Sequence, residues 1–249
     1  MADVLKVVHR DRAVELTLNR PECRNALSRE LVAALTEQLV AANKDDRVRS
    51  AMITGAPPAF CAGLDLRELS DTAGGQAQRD AAALLQLYGT VDHLPKPVIA
   101  AVNGPAVAGG ALLVSVCDLA ICGQSAMIGY PQIKHGLVAT VVLTYLRPLV
   151  GERQAKFLLL TGESLTAERA LQFGLCNEVV PDDELLPRAR YYADLLASYS
   201  PRSVASTKRL FRELRAPGAT DVGARAGGPG ASRRLVRELQ EGIGESSAK

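Results

Sequence analysis

The chain has 249 residues, 47% hydrophobic and 22% charged, a balance that supports one large buried core or a core with an appendage. A net charge of +2 with 4% aromatic residues excludes a nucleic-acid surface, and no apolar run reaches the roughly 18 residues of a membrane span. The five cysteines (23, 61, 117, 122 and 176) show no C-x-x-C pairing, which argues against disulfides and zinc; all but Cys61 read as small buried residues.

Residues 1–12 lack the long apolar core of a secretory signal, so a cytoplasmic chain is expected. Residues 4–9 and 13–18 flank Arg10-Asp11-Arg12 and predict an edge hairpin. After a turn at Asn19-Arg20-Pro21-Glu22, Ser28 caps a helix whose buried face is Leu31, Leu35, Leu39 and Val40. A strand at 50–54, a glycine-containing loop at 55–63 and a helical start at 65–69 follow, then a polar loop over 70–78. A helix with Leu84, Leu85, Leu87 and Val91 ends at Pro95-Lys96-Pro97, before a strand at 98–102 and an apolar helix at 110–117. Short strands are predicted at 119–122 and 127–129, and helices at 138–150, 152–160, 167–173 and 183–198. Strands alternating with helices make the fold α/β. Residues 224–232 read as a flexible link to a last amphipathic helix at 232–240, with a frayed end at 242–249. Between Arg202 and Arg237 lie nine Lys/Arg against Glu213 and Asp221, read either as a solvated helical face or as a patch for a phosphorylated ligand.

Two turns carry the chemistry. Phe60-Cys61-Ala62-Gly63-Leu64-Asp65-Leu66 and Asn103-Gly104-Pro105-Ala106-Val107-Ala108-Gly109-Gly110 each join a buried strand to a segment that can open a helix. Such turns can aim free backbone N–H groups at an anion or a polarised carbonyl. The alternative for Gly109-Gly110 alone is close helix–strand packing. No G-x-G-x-x-G follows the first strand and no G-x-x-x-x-G-K-[ST] occurs, which sets aside a dinucleotide- or nucleotide-binding fold.

Together with Leu16-Thr17-Leu18-Asn19-Arg20-Pro21-Glu22, Asn25-Ala26-Leu27-Ser28, Thr54-Gly55, residues 96–104, Cys117-Asp118-Leu119-Ala120, Leu159-Leu160-Thr161-Gly162 and residues 168–175, these turns resemble the crotonase superfamily, the enoyl-CoA hydratase/isomerase group. The resemblance implies a spiral of strand–strand–helix repeats over 1–195 and a helical C-terminal trimerisation region with a flexible tail over 196–249. It also implies a homotrimer or dimer of trimers. It implies an acyl-CoA thioester as ligand, coenzyme A entering only as part of the substrate, and no metal or separate cofactor. The thioester oxygen would be held by the backbone N–H groups of Leu64 and Gly109. Ala62 falls where family members meet the CoA adenine, and Arg67 and Arg24 where basic groups approach the CoA phosphates, a solvated surface role being the alternative for both arginines.

The two glutamates that position water in family hydratases fall on Leu112 and Gln132, and an aspartate position of related isomerases falls on Thr140. None of these side chains is a proton donor–acceptor near neutral pH. Gln132 can still hydrogen-bond a water or a substrate carboxylate. His135 is a candidate substitute by its ordinary pKa, a surface histidine being the alternative. Glu68 is another, with a helix first-turn carboxylate as its alternative, and Tyr130, Tyr145, His93 and His9 are weaker. Three readings remain: an enolate-stabilising enzyme such as an isomerase or decarboxylase, a non-catalytic acyl-CoA-binding homologue, and an ordinary hydratase. The C-terminus also lacks the Phe- and Pro-containing segment that helps cover the adenine in relatives.

Overall fold

A computed structural model describes residues 3–69, 76–135 and 139–215. A tight turn at Asp11-Arg12, with Asp11 at φ 46°, folds β1 (Leu5–Arg10) antiparallel onto β2 (Ala13–Leu18). The rest of the main sheet is parallel: β3 (Ser50–Gly55), β4 (Val98–Val102), β6 (Leu119–Gly123) and β9 (Glu178–Val180), in the order β1-β2-β3-β4-β6-β9. Every residue of β3 and β4 is buried, as a parallel sheet covered on both faces requires. Alternation divides them: Ala51, Ile53, Val98, Ala100 and Val102 face the larger core, while Met52, Ile99, Ala101 and Ile121 pack on α7 (Leu185–Ser198) through Leu185, Ala189 and Ala193.

The larger core is closed by α1 (Arg29–Lys44), α3 (Gln76–His93), α4 (Gly109–Val116) and α5 (Thr140–Thr161), with a single turn α2 (Leu66–Leu69) following the first glycine turn. Ser28 caps α1 by accepting from the Leu31 N–H at 3.2 Å. The buried stripe of α1 is Leu31, Val32, Leu35, Leu39 and Ala42; Val40, expected in it, is 40% exposed because the stripe drifts round the 3.6-residue turn to Ala42.

After β4 the chain makes β5 (Pro105–Val107) and then α4; after β6 it makes β7 (Met127–Gly129), a 3-10 turn (Pro131–His135) and α5. β5 pairs parallel with β7, which pairs antiparallel with β8 (Ser164–Thr166). Cys61 bridges to Ala106 on the other side of β5, so the segment after β3 follows the same plan. Each repeat is thus a strand in the main sheet, a short strand in the second, and a helix, which is the expected strand–strand–helix spiral.

The structure revises several boundaries. The helices expected at 138–150 and 152–160 are one element bent at Gly151, whose φ of 78° lies outside the helical region, three residues after Pro148. α3 begins at Gln76, inside the expected 70–78 loop; residues 70–75 lie outside the described ones. The link at 224–232, the helix at 232–240 and the end at 242–249 also lie outside them. α6 (Ala167–Phe173) sits between a Thr166 cap and left-handed Gly174.

The basic run has an unexpected use. On α8 (Pro201–Arg215), Lys208, Arg212 and Arg215 share one helical stripe, of which Lys208 is buried and Arg215 exposed. The buried Lys208 ammonium donates to Asp118 at 2.5 Å and to the Lys96 carbonyl at 2.9 Å; Arg212 donates to the Asp92 carbonyl and Arg215 pairs with its carboxylate. Lys208 and Arg212 are therefore drawn into the fold and are not a solvated face, and Arg215 is ion-paired at the surface. Among the described residues no helix is long and apolar enough to cross a membrane, and no cluster of His, Cys, Asp or Glu could hold a metal ion.

Candidate active site at the two glycine turns

Two side-chain amides build the first turn. Asn25, fully buried at φ 56°, donates to the carbonyls of Ala56 (2.8 Å) and Ala59 (2.7 Å) and accepts from the Arg20 N–H at 2.9 Å. Asn103 embraces Gly55, donating to its carbonyl at 2.8 Å and accepting from its N–H at 3.0 Å. An amide can do this because it carries both donors and an acceptor. Gly55 is required there: a Cβ would stand 2.3 Å from the Ala59 carbonyl oxygen.

The N–H groups of the turn itself can be accounted for one by one. Those of Phe60 and Cys61 go to the Pro105 carbonyl, that of Ala62 to Arg24, that of Gly63 to the Cys61 sulfur, and that of Asp65 to Leu27. The N–H of Leu64 has no partner among the described residues. In the second turn, Val107 donates to the Cys61 carbonyl and Ala108 to Gly129. Gly109 then opens α4, where its N–H has no intrahelical acceptor. The turns touch: a Cβ on Gly63 would lie 3.1 Å from the Gly109 nitrogen, and one on Gly110 only 2.2 Å from the Cys61 carbonyl oxygen. Gly110 thus bears out the close-packing reading, and the N–H that opens the helix belongs to Gly109.

Ala108 holds φ 51° and ψ −111°, a conformation that costs an L-residue about 1–3 kcal/mol. The Tyr88 hydroxyl donates to the Gly109 carbonyl at 3.1 Å, steadying the helix entrance from α3. Burial pushes that phenol well above its ordinary pKa, so it stays neutral. Below the first turn, buried Asp65 pairs with Arg20 at 3.0 Å, and Arg20 also donates to the Ala26 carbonyl at 2.7 Å.

Leu112 follows Gly109 by three residues and is buried, so the start of α4 on that side is apolar. Gln132 sits in the 3-10 turn, its Oε1 buried with no hydrogen-bond partner among the described residues. His135 ends that turn; its side chain and that of Thr140 lie outside the described residues. Ala62 is half-buried and its N–H is already used by Arg24, which leaves its carbonyl for a ligand. Arg24 is exposed, with no hydrogen-bond or ion-pair partner for its side chain among the described residues, and Arg67 is exposed on α2.

Other candidates are spoken for. Glu68 accepts from the Arg29 N–H at 2.8 Å and so complements the start of α1, the neighbouring helix to its own. Tyr130 is a fully buried strut, 2.6 Å from the Ser115 hydroxyl. Tyr145 lies beneath the Arg215 guanidinium. His9 and His93 are exposed, on β1 and at the end of α3. Cys61 is fully buried and burial pushes its thiol up to about 12, so it is a packing residue. Sequence reasoning missed Tyr88, the strained backbone of Ala108 and the Asp65–Arg20 pair; Ala108, Asp65 and Arg20 lie in segments that carry the family resemblance, Tyr88 does not.

Beside Leu64 opens a cavity of about 560 Å³ between α1 and α3. Two unpaired N–H groups on touching turns can stabilise a developing oxyanion, each such donor being worth about 3 kcal/mol of barrier. Leu112 and Gln132 cannot add the proton shuttling of a carboxylate pair.

A family model described as enoyl-CoA hydratase/isomerase matches residues 10–225. The 2,3-dehydroadipyl-CoA hydratase of Escherichia coli is 37% identical over 215 residues, 84% of this chain and 82% of its own. Among solved structures, an enoyl-CoA hydratase from Bacillus anthracis superposes with a TM-score of 0.85 at 29% identity, over 96% of this chain and 90% of that one. A monofunctional enoyl CoA isomerase from M. smegmatis gives a TM-score of 0.74 at 29% identity, over 86% and 95%.

Proposed function

The chain belongs to the enoyl-CoA hydratase/isomerase family, and on that premise we propose that it binds an acyl-CoA thioester and stabilises its enolate without two-glutamate water chemistry. The thioester oxygen is held by the N–H groups of Leu64 and Gly109. The observation that carries this is the N–H account of the first turn: of residues 60–65, Leu64 alone keeps its donor unspent, and its neighbour Gly63 packs against Gly109, whose N–H opens α4. Ala62 faces the adenine and Arg24 and Arg67 the phosphates, as ligands of the CoA moiety.

The reaction is double-bond isomerisation or decarboxylation, each of which needs fewer acid–base groups than hydration. Leu112 supplies an apolar wall. Gln132 offers its unsatisfied amide oxygen to a substrate donor or a bound water. His135 is the proton carrier if one is needed. A second reading, a binding protein that has lost its chemistry, is favoured by the diversion of Glu68 and Tyr130 to structural bonds.

Crotonyl-CoA turnover tests the reading. Each general acid–base group contributes about 10²- to 10⁴-fold, so the wild type is expected to leave the enoyl absorbance unchanged, while the Leu112→Glu, Gln132→Glu double variant gains measurable hydration. Brisk hydration by the wild type would refute it. Acyl-CoA binding with no turnover of enoyl-, β,γ-enoyl- or malonyl-type esters would favour the second reading.

A further inference from the structure

The strained turn before α4 is held by three hydrogen bonds. The Ala108 N–H donates to the Gly129 carbonyl at 2.8 Å, and the Ala108 carbonyl accepts from the Leu112 N–H at 3.0 Å. The Tyr88 hydroxyl donates to the Gly109 carbonyl at 3.1 Å. The first two tie the turn to β7 and to α4 itself; the third ties it to α3 and is made by a side chain. A backbone at φ 51° and ψ −111° persists only where its surroundings over-determine it. The ψ angle of Ala108 also sets the direction of the Gly109 N–H, because the peptide joining the two residues is planar. Whatever fixes that angle aims the donor.

Space joins the pair as well. A Cβ on Gly109 would stand 2.8 Å from the Tyr88 hydroxyl, so the phenol fills the volume that a side chain at 109 would need. On another side of Gly109 packs Gly63, whose own Cβ would lie 3.1 Å from the Gly109 nitrogen. Tyr88 is buried, and a buried hydroxyl is unfavourable unless it is bonded, so the phenol and the carbonyl hold each other in place. Tyr88 lies outside the segments that carry the family resemblance. We infer that Tyr88 is a positioning residue for the thioester: its hydroxyl, acting through the Gly109 carbonyl, holds the entrance of α4 so that the Gly109 N–H points at the thioester oxygen. The inference rests on the acyl-CoA reading above. It makes α3 part of the oxyanion site, although the two donors come from the turns.

Infrared difference spectra of the full chain with butyryl-CoA carrying ¹³C at the thioester carbonyl test this, with calorimetry for affinity and a thermal midpoint for folding. In Tyr88→Phe the ring still packs while the Gly109 donor loses its brace. The downward shift of the bound carbonyl stretch is expected to fall by about half, the share of one donor in two. Affinity for butyryl-CoA is expected to stay near that of the wild type, because contacts remote from the reacting carbonyl carry most of it. A lower thermal midpoint with the full shift retained would make Tyr88 a packing residue and overturn the inference, while the acyl-CoA reading stands. A loss of affinity with the shift of the bound ester unchanged would overturn it too. If the wild type itself binds no butyryl-CoA, or binds it with no shift, both fail. Tyr88→Met makes the same comparison should Tyr88→Phe not fold.

Discussion

At the residue scale, the site depends on single backbone positions more than on reactive side chains. Ala108 is the sharpest case, because an alanine occupies a conformation suited to glycine at the entrance of α4. Replacing alanine with glycine in ordinary structure costs about 1 kcal/mol. Here the sign reverses: Ala108→Gly is expected to raise stability to urea by about 1 kcal/mol through relief of strain. A loss of stability would mean that the alanine is not strained. The two turns were legible in the sequence because glycine-containing turns after apolar strands form a pattern, while the choice of Leu64 and Gly109 within them came from the resemblance. Leu112 and Gln132 were legible as departures from a resemblance. Ala108, Tyr88 and the bracing amides Asn25 and Asn103 were not, since a φ angle or a hydrogen bond across 48 residues leaves no local mark. Glu68 was ambiguous for the same reason: its partner, the Arg29 N–H, is 39 residues away.

At the element scale, the strands β3 and β4, the helix α1 and the three-residue strand β7 were read correctly, whereas the three-residue strands β5, β8 and β9 were not anticipated. β3, β4 and α1 bury apolar runs that declare their period, whereas β5, β8 and β9 are held by backbone pairing that asks little of their side chains. Helix docking likewise hides in charge pairs distant in sequence. Glu15 on β2 is buried against Arg190 of α7 (2.7 Å) and Arg10 of β1 (2.8 Å). Burial pushes its carboxyl up, but the two guanidinium groups outweigh that and hold it below the ordinary value. A carboxyl depressed in the folded state lends stability that is present above its unfolded pKa and disappears as pH falls through the folded value. Glu15→Gln is therefore expected to lose about 2 kcal/mol at pH 7, with a smaller loss at pH 3, in urea titrations at both pH values. An equal loss at both would assign its effect to packing.

At the scale of the whole molecule, two features point outward. Leu160 on α5 and Phe211 on α8 are 70% and 67% exposed, and α8 turns Leu210, Phe211 and Leu214 away from a core it grips through Lys208 and Arg212. Such surfaces are unfavourable in water when left bare, and the account expects them to be covered in a trimer or dimer of trimers. Light scattering after size exclusion should give a mass three or six times that of the chain, and a monomer at micromolar concentration would contradict this. The chemistry proposed for the two turns rests on one oxygen atom, that of the thioester carbonyl. Infrared difference spectroscopy with a thioester carrying a ¹³C-labelled carbonyl reads its polarisation directly. The carbonyl stretch is expected to move to lower frequency on binding to the wild type. The shift is expected to shrink in Gly109→Ala, whose added Cβ would stand 2.8 Å from the Tyr88 hydroxyl and displace the donor. A thioester that binds with its carbonyl stretch unmoved would contradict the role assigned to Leu64 and Gly109.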